Sequence, residues 1–328
     1  MVAVSVAFQT DKSAADYAAL AVAAESLGFD GVSVFHDFGF QPSLFPLLEM
    51  ARATSRVRLG AACLNPFLLH PVEIAGQAAA LQLASGGRGY VGIARGAWLE
   101  RVGVVQDRPL RRLAEAIEVI RRLLRGDESA YGGEVFPLAA GTRLQYDLPE
   151  VPPLLLGTWG ARGLGLAGAA ADEVKLGGCA NPDMVRLARK RLDAACAAAG
   201  RDPSSVALVA GAVTVVDADG ARARSVAREE VAMYLDVVGA LDETVTVPQS
   251  ALAPLRAALV AGEAAGRFVP DELLQKFAFA GTPTEIAAQA NELAEAGAAR
   301  IEFGTPHGLT ATGGLELLGR AVLPELIT

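Results

Sequence analysis

Short apolar runs alternate with longer amphipathic stretches from one end of this chain to the other. The repeating unit is a helical segment, a glycine stop and a brief apolar strand; AESLGFDGVSVF near the start and AEAGAARIEFG near the end both show it. Apolar residues recur three and four apart at Tyr17, Leu20, Ala24 and Leu27, at Ile74, Ala78 and Leu81, and at Leu110, Leu113, Ile117, Ile120 and Leu124. That is the spacing of one helix face. Asp11 or Ser13 caps the first helix, prolines 71, 109 and 182 open later ones, and Gly28, Gly126, Gly200 and Gly297 close helices. The pattern predicts strands over residues 2–8, 31–35, 90–94, 153–157, 173–176, 206–216 and 300–303, with one more starting at Val57.

Units of this kind favour a parallel sheet covered by helices, and eight of them suit a closed α/β barrel (TIM barrel) better than a doubly wound sheet. The first strand lacks a GxGxxG turn, which counts against a dinucleotide-binding domain. Two segments depart from the rhythm. Residues 131–146, with Gly132, Gly133 and Gly141 as turn residues, predict a β-hairpin before the fifth strand. Residues 217–282 are too long for one crossover helix and predict an inserted helical segment between the seventh and eighth strands. No linker divides the chain, so residues 1–328 are expected to form a single domain ending in a helix over 314–323.

The chain is 52% hydrophobic, enough for one large core and too much for disorder. Its net charge of -8, without any lysine or arginine run, argues against a nucleic-acid partner. No apolar run approaches the roughly 18 residues a membrane helix needs. The chain enters its first strand without a basic leader, which predicts a cytoplasmic protein. Cys63, Cys179 and Cys196 are widely spaced and the three histidines are scattered, so neither a disulfide framework nor a metal site is expected.

A barrel of this type carries its active site at the C-terminal ends of its strands. Gln9 follows the first strand, His36-Asp37 the second, and Cys63, Asn65 and His70 the third. Arg95-Gly96 and Trp98 follow the fourth, Thr158 and Trp159 the fifth, Gly177-Gly178-Cys179 the sixth, and Thr305 and His307 the eighth. In Gly157-Thr158-Trp159-Gly160 a strand ends and a helix begins in glycine, leaving backbone N–H groups free to cradle a phosphate or carboxylate. Taken alone, this turn and Gly177-Gly178 read equally as ordinary tight turns. The chain holds no GxSxG and no cysteine beside a histidine partner, and its one candidate lysine, Lys175, lies inside a strand. A cofactor-borne reaction on a small-molecule substrate is therefore expected. His36 or Asp37 would handle the proton, His70 and His307 stand second, and Trp98 and Trp159 would wall the pocket.

The segment RLGAACLNPFLLHPVEIAGQAAALQLASGGR resembles its counterpart in the methylenetetrahydromethanopterin reductases, deazaflavin-dependent members of the bacterial-luciferase-like superfamily. The likeness continues in YVGIARG, LLLGTWGARGLGLAGAAADEVKLGGCANP, FAFAGTPTEI and IEFGTPHG, and so spans nearly the whole chain. It implies a luciferase-like barrel, usually dimeric, that binds coenzyme F-420 with the deazaflavin ring against a bulge ending the third strand. That bulge would contain a non-proline cis peptide between Ala62 and Cys63, with Asn65 helping to hold it. Arg95 and Gly96 would lie beside the ring. Gly157, Thr158, Trp159 and Gly160, together with Gly177 and Gly178, would line the path of the phosphate-bearing tail. FMN is the alternative cofactor, in a monooxygenase or a non-catalytic flavin-binding barrel. Two departures separate the chain from these relatives: His36-Asp37 reverses their Asp-His order, and Ala7 stands where they carry an acid. A substrate other than methylenetetrahydromethanopterin is therefore expected.

Overall fold

The structure is a computed structural model that describes residues 2–327. The first half of the chain alternates β1 (Ala3–Phe8), α1 (Ala14–Leu27), β2 (Gly31–Val34), α2 (Leu44–Ala53), β3 (Arg58–Leu64), α3 (Pro71–Ser85), β4 (Gly89–Ala94) and α4 (Pro109–Arg125). The second continues with β5 (Leu154–Gly157), α5 (Ala161–Ala170), β6 (Glu173–Gly177), α6 (Pro182–Ala198) and β7 (Ala207–Val216). After β7 come α7 (Gly220–Val238), α8 (Gln249–Ala261), α9 (Asp271–Phe277), β8 (Ala278–Gly281), α10 (Pro283–Glu295), β9 (Arg300–Gly308) and α11 (Ala311–Leu317).

Strands β1 to β7 and β9 pair in parallel round a closed circuit, with β9 bridging β7 and β1. The expected (β/α)8 barrel is the fold observed. The insertion of residues 217–282 is not wholly helical, however. Its last residues form β8, which pairs with the far end of β7 from Val213↔Ala278 to Val216↔Gly281. The signal was too short to read, four residues directly abutting a helix. The hairpin expected over 131–146 reduces to one antiparallel bridge, Tyr131↔Leu138. Its loop is held instead by Glu115 of α4, whose carboxylate accepts from the backbone N–H groups of Glu134, Val135 and Phe136 at 3.2, 2.7 and 3.0 Å. Burial raises the pKa of that carboxyl, and the three donors more than reverse the effect. The last helix starts at Ala311 and widens into a π-turn over Leu318–Val322.

Outward-facing strand residues such as Val4, Val6, Val32 and Leu59 are buried under the helices. The barrel interior is different. Ser5, Ser33, Tyr90, Glu173, Lys175, Arg300 and Glu302 are all buried and joined into one hydrogen-bonded network. Arg300 donates to Glu173 at 2.6 Å and to Ser5 at 3.2 Å, and Arg58 reaches the same Glu173 at 2.7 Å. Higher along the axis, Lys175 pairs with Glu302, which also accepts from Ser33. These two residues form part of the floor of the site.

Candidate active site

The C-terminal ends of the strands open into a cavity of about 950 Å³, the upper range for small-molecule and cofactor pockets. The residues expected to touch the cofactor and the two first choices for moving a proton line it: His36, Asp37, Ala62, Cys63, Asn65, Arg95, Gly96, Gly157, Thr158, Trp159, Gly160, Gly177 and Gly178. Trp98 also faces it. His70, Cys179 and His307 do not. His70 caps α3, its Nδ1 accepting from the Val72 N–H at 3.3 Å. Cys179 is fully buried beneath the rim. His307 turns back into the core with φ 74°, edge-on to Phe8, and its Nε2 meets the Phe303 carbonyl at 3.2 Å.

The rear wall is made by β3. Its pairing with β4 is regular to Ala61, then shifts register before Leu64, so residues 62 and 63 bulge into the cavity. The Ala62–Cys63 peptide is cis. The Asn65 Oδ1 accepts from the N–H groups of Phe67 and Leu68 at 3.3 and 3.0 Å, a turn that fixes the end of the bulge. Neighbouring strand ends leave room for it. A Cβ at Gly157 would stand 3.2 Å from the Cys63 Sγ, and one at Gly96 would stand 3.1 Å from the Asn65 Cγ. Burial pushes the Cys63 thiol up to about 12, so it is neutral near pH 7 and unsuited to nucleophilic attack.

Beside the bulge, Arg95 donates to the Gln106 Oε1 at 2.6 Å, and Gln106 donates back to the carbonyls of Arg95 and Gly96 at 2.8 and 3.0 Å. Gln106 thus fixes the loop after β4; nothing in its local sequence marked it. At α5 the N-cap is Gly160, with no capping side chain and no acidic residue in the first turn. Arg162 lies exposed on that turn and forms no ion pair among the described residues. Helix end, free N–H groups and guanidinium together make an anion cradle. Trp159 is buried and donates to the Gly177 carbonyl at 3.2 Å, tying this turn to the next strand end.

Across the cavity the Gln9 amide donates to Asp37 at 2.9 Å. The His36 Nδ1 accepts from the Ser43 backbone N–H at 3.3 Å and lies 3.0 Å from its hydroxyl. A backbone N–H can only donate, so Nδ1 carries no proton and Nε2 is the ring's donor. Burial lowers the His36 pKa against the pull of Asp37, which keeps the ring neutral at pH 7. Lys175 and Glu302 complete the floor. Their signal was present: Glu173 with Lys175, and Arg300 with Glu302, put opposite charges two apart, hence on one face of each strand. No group of three or more histidine, cysteine, aspartate or glutamate side chains that could hold a metal occurs among the described residues.

A closed barrel with one large, polar-rimmed cleft at the C-terminal ends of its strands is the framework of an enzyme. The chain belongs to the luciferase-like monooxygenase family, whose model matches residues 2–300. It is 30% identical over 315 residues to a 5,10-methylenetetrahydromethanopterin reductase of Archaeoglobus fulgidus, covering 92% of this chain and 93% of that one. It is 33% identical over 166 residues to an F-420-dependent glucose-6-phosphate dehydrogenase of Microbacterium testaceum, 46% of this chain and 49% of the relative. Among solved structures, the coenzyme F-420-dependent tetrahydromethanopterin reductase of Methanopyrus kandleri superposes with a TM-score of 0.88 at 22% identity, over 99% of both chains.

Proposed function

We propose that the protein is an oxidoreductase that uses coenzyme F-420 to transfer a hydride to or from a small organic substrate. One observation carries this reading: four adjacent strand ends, β3 to β6, are stripped of bulk around a protruding backbone bulge and lead to an uncapped helix N-terminus. Such a surface accommodates a flat ring with an anionic tail. The likeness to a reductase over nearly the full length of both chains supports it.

When bound, the reduced deazaflavin supplies a hydride equivalent. The chain does the rest by position and charge. Residues 62 and 63 back the ring, Asn65 and Gly96 fix that wall, and Arg95 lies beside it. The backbone of Gly157–Gly160, Gly177, Gly178 and the Arg162 guanidinium hold the tail. His36, neutral and with its proton on Nε2, donates a hydrogen bond to the reacting substrate group. Asp37, oriented by Gln9, is the second candidate for handling the proton. Three unpaired thiols fit a cytoplasmic setting, and exposed Phe38, Phe40 and Phe45 around the β2–α2 connection fit a homodimer.

Anaerobic titration of the protein with F-420, followed by fluorescence and absorbance, tests the reading; absence of binding would end it. The family's name favours one rival, an FMN-dependent monooxygenase. Oxygen uptake with reduced FMN, and no binding of F-420, would establish that rival instead.

A further inference from the structure

Just beyond the end of β6, Asn181 is fully buried and its side-chain amide is spent entirely on its neighbours. Its Oδ1 caps α6 by accepting from the Asp183 N–H at 3.1 Å, and it also accepts from the Lys276 Nζ of α9 at 2.9 Å. Its Nδ2 donates to the Asp242 carboxylate at 2.7 Å and to the Thr244 hydroxyl at 2.8 Å. Asp242 is buried in the connection between α7 and α8. Its other oxygen accepts from the Thr244 N–H at 2.8 Å and from the Thr244 hydroxyl at 2.7 Å. One neutral amide thus joins the turn after β6 to the far end of α7 and to α9.

The joint reaches the cavity through Val238, the last residue of α7. The Asp242 N–H donates to the Val238 carbonyl at 3.2 Å, and Val238 and Gly178 both line the cavity. A Cβ on Gly178 would stand 2.9 Å from the Val238 Cγ1. The N–H groups of Gly178 and Cys179 are fixed on the Gly211 carbonyl of β7 at 2.6 and 2.9 Å. The spacing of Gly178 and Val238 is therefore set by a closed circuit: the backbone from Gly178 to Asn181, the Asn181–Asp242 hydrogen bond, and the backbone bond from Asp242 to Val238. Of these links only the amide–carboxylate bond is made by side chains. We infer, resting on the deazaflavin reading that puts the phosphate-bearing tail beside Gly177 and Gly178, that Asn181 is a positioning residue for the cofactor. Through Asp242 it holds Val238 at the spacing that fits the wall to the tail, while residues 62 and 63 back the ring without it. A radial gap of about 0.5–1 Å forfeits a quarter to a half of each contact's attraction, so a loosened wall costs affinity for the tail alone.

The test titrates the full chain with two probes, each followed by fluorescence: F-420, and the deazaflavin nucleoside that has the same ring and ribityl chain but ends before the phosphate. Asn181→Asp keeps the side chain's shape and the α6 cap but sets two carboxylates face to face. It should weaken F-420 binding about ten-fold and leave the nucleoside within about two-fold. Asn181→Asp combined with Asp242→Asn exchanges donor and acceptor across the same bond, and should bring F-420 back to within about three-fold of the original protein. Val238→Ala opens the gap from the other side without touching the buried joint, and should weaken F-420 several-fold with the same selectivity; it decides the matter should Asn181→Asp not fold. Equal weakening of both probes, F-420 binding unmoved by Asn181→Asp or Val238→Ala, or no recovery in the exchanged pair would each overturn the inference. Failure of the unaltered protein to bind F-420 would instead strike the functional reading.

Discussion

Replacing Lys175 by methionine tests how the floor of the cavity is held together. Lys175 and Glu302 are both buried, with side chains only 7% and 2% exposed. Burial opposes the charge on each, yet their mutual attraction prevails: the lysine pKa is raised and the glutamate pKa lowered, so both stay ionised at neutral pH. Removing one member of a buried pair typically costs about 3–5 kcal/mol, because the other is left charged without its partner. Glu302 keeps Ser33, Ser5 at 3.3 Å and the Arg300 guanidinium at 3.6 Å. The Lys175→Met loss should therefore fall at the lower end, about 3 kcal/mol. Pairing that change with Glu302→Gln removes both charges and leaves a side chain that can still bond Ser33 and Ser5. The double variant should lie within about 1 kcal/mol of the original protein. Urea unfolding at pH 7 for the four proteins of the cycle gives the coupling directly. A double variant as unstable as the sum of its single changes would refute the reasoning, since the two charges would then act independently.

Other consequences can be measured as directly. Burial holds His307 down to about 4, against about 6.5 in an unfolded chain, so the unfolded state takes up the proton first as pH falls. The stability it contributes is complete above pH 7 and is lost between about pH 6.5 and 4, by about 3 kcal/mol; His307→Asn, a residue type that tolerates its left-handed backbone, should flatten that stretch of the urea-midpoint curve, and parallel curves would contradict it. Arg162→Ala should weaken F-420 binding by about five-fold, with the difference shrinking at high salt and the thermal unfolding midpoint unchanged. Gly157→Ala, whose Cβ would stand 3.1 Å from the Ala94 Cβ and 3.2 Å from the Cys63 Sγ, should cost about 1 kcal/mol of stability and about ten-fold in F-420 affinity. Unchanged affinity would move the cofactor away from that strand end.

The sequence carried the eight-unit barrel because each unit is local: a periodic face, a glycine stop and an apolar strand lie within some thirty residues. The rim was legible for the same reason, since strand ends follow from strand positions. Three of its members still went astray. His70 caps a helix, Cys179 lies under the rim and His307, itself in the left-handed conformation, turns inward, none of which periodicity reveals. The barrel interior was missed because its partners are far apart in the chain. Lys175 and Glu302 are separated by 127 residues, and a lysine within an apolar strand reads as an interruption until the opposing strand is known. Strand β8 has the same character, gaining its meaning only from the far end of β7.

The helix α7 opens the long stretch of chain between β7 and α10, and it meets the glycine-lined side where Val238 packs beside Gly178. One continuous stretch of chain thus supplies one wall of the cavity, while the facing wall is assembled from separate strand ends. Exchanging residues 217–282 between family members should transplant chemical preference in one step, with the Val238–Gly178 junction as the seam to preserve.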